Sequence, residues 1–246
     1  MDDQSLTAQL LAFADDEFLL GHRDSEWTGH APLLEEDIAF SNLAQDELGH
    51  ALLWYTILHE QLNQSTPDRL AFWRDGGEFR NATLLELPRG DWAVTIVRQY
   101  LFDEYEHARN AALAHCGYAP IEQAVAKIER EEVYHRLHSQ GWVLRLGGAT
   151  EESHQRMQAA VDQLWPHALG LFEPLDHSPD YSATLPQLQA VWLERVTPVL
   201  AQATLRIPPQ ANPAYGGRRG QHTAHLIDLL KDLHKVAHSE SPEAIW

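Results

Sequence analysis

Apolar residues recur every three or four positions through most of the chain, which is the spacing of one face of an α-helix. Glycine and proline residues interrupt this pattern and divide it into seven predicted helices. These helices cover residues 6–20, 33–62, 92–115, 120–146, 151–172, 185–205 and 221–238. The pattern predicts an all-α fold, a four-helix bundle with additional C-terminal helices, built as a single domain over residues 1–246.

Two segments between the predicted helices have distinctive sequences. In FWRDGGEFRN, at 72–81, the sequence Asp75-Gly76-Gly77 could form the turn of a short β-hairpin. GGRRGQ, at 216–221, has glycines and arginines like a phosphate-binding loop, but its place just before a helix favours an ordinary connection.

Composition narrows the class of protein. The chain has 36 acidic and 18 basic residues, and its net charge of −18 disfavours binding to nucleic acid or to anionic membrane surfaces. The single cysteine, Cys116, can form neither an internal disulfide nor a thiolate metal site. No apolar run reaches the ~20 residues of a membrane span, and MDDQSLTAQLL lacks the basic start of a signal peptide. We expect an acidic cytoplasmic protein.

Two Glu-x-x-His pairs, Glu47/His50 and Glu132/His135, lie within apolar stripes of the second and fourth predicted helices. Residues three apart share a helix face, so both pairs are expected to point into the core. Burying such groups costs free energy unless something compensates them. Each pair alone could instead be solvated or hydrogen-bonded. A third pair, Glu104/His107, would crowd its helix, and we interpret it as a chance occurrence.

The first and third helices each carry one carboxylate on the corresponding stripe, Glu17 and Asp103. Glu17 precedes Glu47 by 30 residues and Asp103 precedes Glu132 by 29, which indicates two similar helical hairpins. The break at Cys116-Gly117 lies nearly midway between Asp103 and Glu132. Antiparallel helices of this length would therefore bring the two carboxylates to the same height in the bundle.

Four carboxylates and two imidazoles on four helices match the ligand set of ferritin-like di-metal bundles. We predict a metal site that holds two iron or manganese ions. No lysine or arginine lies on the four predicted core stripes, so we expect metal rather than a basic side chain to compensate the acids. The predicted ligands are Glu17, Glu47, His50, Asp103, Glu132 and His135.

Several stretches make the chain similar to a known family. QDELGH at 45–50 and KIEREEVYH at 127–135 resemble the catalytic A-type subunit of the multicomponent ring-1,2-phenylacetyl-coenzyme A epoxidase. Most of the chain resembles the C-type subunit of the same enzyme. The stretches that carry this second resemblance are SEWTGHAPLLEEDIA, FWRDGGEFRN, RQYLFDEYEHA, YHRLHSQGWVLRLGGAT, MQAAVDQLWP and GGRRGQHTAHL.

The resemblance implies a ferritin-like subunit of a heteromeric di-iron monooxygenase. In that enzyme the A-type subunit binds substrate and activates dioxygen, a flavin and iron–sulfur reductase supplies electrons, and the product is a ring epoxide. The C-type subunit packs against the A-type subunit, which it stabilises, and its own metal ligands are typically incomplete. This chain departs from that pattern because all six ligand positions carry suitable residues. The aromatic substrate and coenzyme A rest on the resemblance alone.

Two alternatives remain open from the sequence. A complete ligand set is also what a self-sufficient di-iron oxygenase subunit requires. A ferritin-type iron-oxidising protein would share the bundle, although seven helices and the C-terminal extension are atypical of a cage-forming shell.

Overall fold

The computed structural model describes residues 2–242, and the regular structure within that range is entirely helical. The all-α prediction is confirmed. Short 3₁₀ turns occur at Gly76–Glu78, Gly170–Phe172 and Gly217–Arg219. The α-helices of the described residues are α1 (Asp3–Ser25), α2 (Leu34–Leu62), α3 (Pro67–Phe72), α4 (Thr83–Glu86), α5 (Trp92–Leu113), α6 (Ala119–Ala149), α7 (Glu151–Leu169), α8 (Pro179–Gln202) and α9 (Ala224–Ala237).

The four long helices α1, α2, α5 and α6 form two antiparallel hairpins. In the first hairpin, Phe13 of α1 packs edge-on against Trp54 of α2, while Gly21 near the other end of α1 approaches Ala44. The second hairpin joins α5 to α6 through a short turn, and its helices also pack extensively. Because α2 and α6 contact each other as well, the hairpins close into a bundle.

The remaining helices cover the outside of this bundle. Helices α7 and α8 pack on α5 and α6, and α9 lies against the short α3 and α4. Trp192 of α8 is completely buried and donates its indole N–H to the carbonyl of Leu101 in α5. The buried apolar side chains form one contiguous core. None of the helices within residues 2–242 is long and apolar enough to cross a membrane.

The predicted hairpin at 72–81 is wrong. Asp75 and Glu78 instead form a reciprocal capping box around the 3₁₀ turn, with the Asp75 amide donating to the Glu78 carboxylate over 2.8 Å. The side chain of Arg74 and the amide of Arg80 both donate to Asp15 of α1. The segment is therefore fastened to the bundle and does not pair with itself.

Glycine positions explain two errors in the predicted helix ends. Residues 21–32 were expected to be a loop, yet α1 continues to Ser25. A β-carbon at Gly21 would lie 3.0 Å from the carbonyl oxygen of Ala44, so this glycine permits close helix packing and does not end α1. Likewise α6 runs on through Gly147, which packs against Ala203.

Three consecutive acidic residues fix the position of α1 in the bundle. Asp15 pairs with Arg74 and accepts a 2.6 Å hydrogen bond from Tyr55. Asp16 accepts two bonds, of 2.9 and 2.7 Å, from the buried guanidinium of Arg218. Arg218 belongs to the GGRRGQ segment, which thus anchors the C-terminal region, as expected for a structural connection. The third acid of this series is Glu17.

Candidate metal centre

All six predicted ligands meet in the middle of the four-helix bundle. Glu17 comes from α1, Asp103 from α5, and the two Glu-x-x-His pairs come from α2 and α6. Each of the six residues has 0% relative solvent exposure. The helix faces predicted from periodicity therefore place these side chains together and shield them from water.

The two histidines are oriented alike. Nε2 of His50 lies 3.0 Å from a carboxylate oxygen of Glu131, and Nε2 of His135 lies 3.3 Å from Asp46. Both partner carboxylates are partly exposed. In each ring the other nitrogen, Nδ1, faces the buried carboxylates. A carboxylate on the outer nitrogen orients an imidazole for metal binding through the inner one.

The inner nitrogen atoms lack hydrogen-bond partners. Nδ1 of His50 is 3.7 Å from Oε2 of Glu17, beyond hydrogen-bond range. Nδ1 of His135 is 2.7 Å from Oε1 of Glu132, but this contact does not have hydrogen-bond geometry. Oxygens of Glu17, Glu47 and Glu132 are also buried without partners. Buried polar atoms are normally satisfied, so this convergence fits a site built to hold cations.

The ligand atoms fall into two overlapping groups. One group brings together Glu17, Glu47, His50 and Glu106, and the other contains Glu47, Asp103 and His135, with the atoms of each group within 4.8 Å of one another. Glu47 belongs to both groups. Glu132 lies between the histidines, with Oε1 3.9 Å from Nδ1 of His50 and 2.7 Å from Nδ1 of His135.

Glu106 was missed by the sequence analysis. It follows Asp103 by three residues and so lies on the same face of α5. On this helix only Asp103 and the Glu104/His107 pair were named from the sequence. Glu106 is completely buried, whereas His107 lies away from the cluster, 3.1 Å from Glu129. The i+3 spacing from Asp103 was the available signal.

The expectation that no basic side chain compensates the buried acids is wrong. Arg109 of α5 is buried, and its Nη2 donates to Oε1 of Glu17 over 2.7 Å and to Oε1 of Glu106 over 2.8 Å. It lies three residues beyond Glu106 on the same helix face. Its guanidinium also lies over the ring of Phe13, 4.7 Å from the ring centre, in a cation–π contact.

Other acidic and histidine residues near the ligands in sequence lie outside the cluster. Glu104 accepts a hydrogen bond from Arg195 of α8, and its apparent partner in the third Glu-x-x-His pair, His107, is bound to Glu129. Asp16, the neighbour of Glu17, is occupied by Arg218. These contacts agree with the interpretation of Glu104/His107 as a chance pair.

The buried acids differ in the direction of their pKa shifts. Burial, together with nearby carboxylates, raises the pKa values of Glu47, Asp103 and Glu106 well above their usual range. Burial alone would also raise the pKa of Glu17, but Arg109 and then His50 hold it well below the ordinary value. Glu17 therefore carries a negative charge compensated by the guanidinium, and Glu47, Asp103 and Glu106 favour their protonated forms.

Two neutral side chains donate hydrogen bonds to Asp103. Gln99 donates to Oδ1 of Asp103 over 2.8 Å, and the Ser139 hydroxyl donates to Oδ2 over 2.6 Å.

Carboxylate oxygens with one imidazole per position suit divalent iron or manganese. The donor set thus fits a metal, which would supply redox or Lewis-acid chemistry when bound. The buried carboxylate and histidine groups could hold a metal ion.

Comparison with known proteins shows which family the chain belongs to. The family model described as "Phenylacetic acid catabolic protein" matches residues 1–246. The chain belongs to this family. It is 36% identical over 233 residues to the C-type subunit of 1,2-phenylacetyl-CoA epoxidase from Escherichia coli (strain K12). That match covers 93% of this chain and 94% of the relative.

A second relative is the A-type subunit of 1,2-phenylacetyl-CoA epoxidase from the same organism, at 28% identity over 160 residues. This match covers 65% of the chain but only 51% of that relative. Higher identity and nearly complete mutual coverage both favour the C-type subunit. The predicted resemblance to the C-type subunit of this family is therefore confirmed.

Proposed function

We propose that this chain is the C-type subunit of a phenylacetyl-CoA epoxidase that acts in phenylacetate catabolism. Its main role is to pack against the catalytic A-type subunit in a hetero-oligomer, and it meets the reductase component only indirectly. The observation that carries the proposal is the end-to-end similarity to a C-type subunit. The proposed location is the cytoplasm. Residues 1–246 act as one domain, which the single contiguous core supports.

The buried cluster is proposed to bind iron or manganese through Glu17, Glu47, His50, Asp103, Glu132 and His135, with Glu106 as an additional acid. The unpartnered Nδ1 atoms of both histidines support this assignment. Each histidine also has an outer carboxylate that fixes its ring. No catalytic residue is assigned, because the proposed role is structural.

The complete ligand set favours one alternative, a self-sufficient oxygenase subunit that activates dioxygen itself. That function requires turnover without an A-type partner. A ferritin-type iron-oxidising protein is the second alternative, and it requires a large hollow shell in solution. Size-exclusion chromatography of the purified chain distinguishes such a shell from a small oligomer.

Co-expression with the A-type subunit encoded in the same genome tests the proposed function. A tag on this chain should retain the A-type subunit through affinity purification and size exclusion, with a defined stoichiometry by native mass spectrometry. An A-type subunit expressed with the tag alone is the control. Repeated failure of the two folded proteins to associate would rule out the proposed role.

Thermal unfolding with and without ferrous or manganous ion tests the metal site. Metal that binds only the folded chain should raise its melting temperature. The double variant Glu47→Ala/Glu132→Ala should lose this response. Glu35→Ala/Glu60→Ala, two exposed positions on α2, should keep it. Equal melting temperatures for the parent protein, with no metal by elemental analysis, would refute the assignment.

A further inference from the structure

The metal cluster has two unequal halves. The Glu17 half consists of Glu17, Glu106 and His50, and the Asp103 half consists of Asp103 and His135. We count Glu132 with the Asp103 half because its Oε1 lies 2.7 Å from Nδ1 of His135 but 3.9 Å from Nδ1 of His50. Glu47 is shared between them. Both halves offer buried carboxylates and one inward-facing imidazole nitrogen. They differ in the groups that compensate the negative charge.

In the Glu17 half a protein cation is already present. One nitrogen of Arg109, Nη2, contacts an oxygen of Glu17 and an oxygen of Glu106 at 2.7 and 2.8 Å. All three side chains are shielded from solvent. The guanidinium is held from behind by the ring of Phe13, so this cation is fixed in place.

In the Asp103 half the contacts to the carboxylate are neutral. Gln99 and Ser139 donate to the two oxygens of Asp103, at 2.8 and 2.6 Å. Both oxygens of Glu132 are buried without a hydrogen bond. These donors orient the acids but bring no full positive charge. No arginine or lysine of the described residues contacts Asp103 or Glu132, so an ion that displaces their protons would itself compensate the negative charge.

A divalent ion in the Glu17 half would lie within a few ångströms of the guanidinium. Like charges at that separation repel strongly in a buried site, where the effective dielectric constant is far below that of water. The same ion in the Asp103 half would bind acids that Arg109 does not contact. The two halves should therefore differ in affinity.

We propose that the chain binds one divalent ion preferentially, in the Asp103 half, and that Arg109 opposes a second ion in the Glu17 half. This inference rests on the proposed metal site and refines the two-ion expectation drawn from the sequence. A single preferred ion stabilises the bundle without assembling the paired centre of an oxygenase. The complete ligand set is thus compatible with a structural subunit.

Manganese titration of the purified, chelator-treated chain tests the stoichiometry. Electron paramagnetic resonance should show an isolated Mn²⁺ spectrum that saturates at one ion per chain, as counted by elemental analysis. The second ion should bind at least about tenfold more weakly, because a repulsion of about 1.4 kcal/mol already gives that ratio. Two ions that bind with equal affinity, or that give a spin-coupled spectrum from the first additions, would overturn the proposal.

A matched pair of isosteric variants locates the preferred ion. Asp103→Asn should abolish binding of the first ion, whereas Glu106→Gln should retain it with little change in affinity. Each amide imitates a protonated carboxylic acid, so both variants should fold. Loss of the first ion in Glu106→Gln with retention in Asp103→Asn would place the first ion in the Glu17 half and overturn the proposal.

Variants of Arg109 test the cause of the inequality. Arg109→Gln should increase the affinity for the second ion at least tenfold, whereas Arg109→Lys should keep the preference for one ion. If Arg109→Gln does not fold, the Asp103 and Glu106 pair still decides the question. A chain that takes up no manganese would refute this inference and the metal site but not the structural role in the epoxidase, which the co-purification experiment tests independently.

Discussion

Nη2 of Arg109 lies 2.7 Å from Oε1 of Glu17, and neither side chain is accessible to solvent. The pair links α1 to α5 across the centre of the bundle, at the position where the sequence predicted only acids and histidines. Burying an ion pair is costly, but removing one partner costs more, because the other is left as an uncompensated buried charge.

Arg109→Gln should therefore lower the free energy of unfolding of the metal-free protein by about 3–5 kcal/mol. Urea denaturation followed by circular dichroism measures this change. Arg156→Gln is the control, since the salt bridges of Arg156 to Asp91 and Glu152 are exposed, and its unfolding midpoint should not change. An equal effect of the two substitutions would contradict the buried ion pair.

Two adjacent glycines in α6 should respond in opposite ways to the same substitution. A β-carbon at Gly147 would lie 2.6 Å from the carbonyl oxygen of Ala203, whereas nothing lies within 4 Å of one at Gly148. Gly147→Ala should destabilise the protein by about 1–3 kcal/mol through overpacking. Gly148→Ala should stabilise it by up to about 1 kcal/mol, because alanine favours the helix. Thermal and urea denaturation measure both, and equal effects would contradict the packing of α6 on the segment after α8.

The buried carboxyl group of Asp24, outside the metal cluster, should make the free energy of unfolding depend on pH. Burial raises the pKa of this carboxyl to about 7, despite the opposing effect of Arg98. In the unfolded chain the value is about 3.9, so the folded state binds more protons between these values. Its contribution to the free energy of unfolding is therefore complete below about pH 4 and is lost as the pH rises to about 7.

Asp24→Asn should remove this part of the pH dependence. At pH 8 the variant should be more stable than the parent by several kcal/mol, about 1.4 kcal/mol for each unit of the pKa difference. At pH 4 the difference should be much smaller. Urea denaturation across pH 4–8 measures it, and Asp232→Asn, an exposed position on α9, should leave the profile unchanged. A constant difference between Asp24→Asn and the parent over this range would contradict the prediction.

The outer carboxylates should tune metal affinity without contacting the ion. Asp46→Asn removes the charge beside Nε2 of His135, which should weaken manganese binding about 10–100-fold. Isothermal titration at fixed pH measures the affinity. Glu36→Gln is the matched control, because Glu36 forms the same type of contact with His138, a histidine outside the cluster. Equal losses in both variants would indicate a general effect of charge.

The sequence predicted the four long helices and the six clustered residues because both depend on local periodicity. A Glu-x-x-His pair on an apolar stripe must face the core wherever the helix packs. The end of α1 was not predictable in the same way, since Gly21 normally signals a break. Its role depends on Ala44 of the neighbouring helix, a contact that is distant in sequence.

Arg109 was missed for a related reason. Its polar side chain does not extend an apolar stripe, and its partner Glu17 is 92 residues away in the sequence. The 72–81 segment likewise depends on Asp15 of α1, so its turn residues alone predicted the wrong structure. Helix faces follow from local spacing, whereas charge pairs between helices require the three-dimensional arrangement.

The central proposal is that this chain serves as the structural partner of a separate catalytic subunit. The most direct measurement is turnover of phenylacetyl-CoA by the purified chain with the reductase, compared with the same mixture after addition of the A-type subunit. All samples are loaded with iron, and the A-type subunit with reductase alone completes the set. We predict no turnover without the A-type subunit, and the highest activity in the mixture that contains both proteins. Turnover by this chain and reductase alone would contradict the proposal.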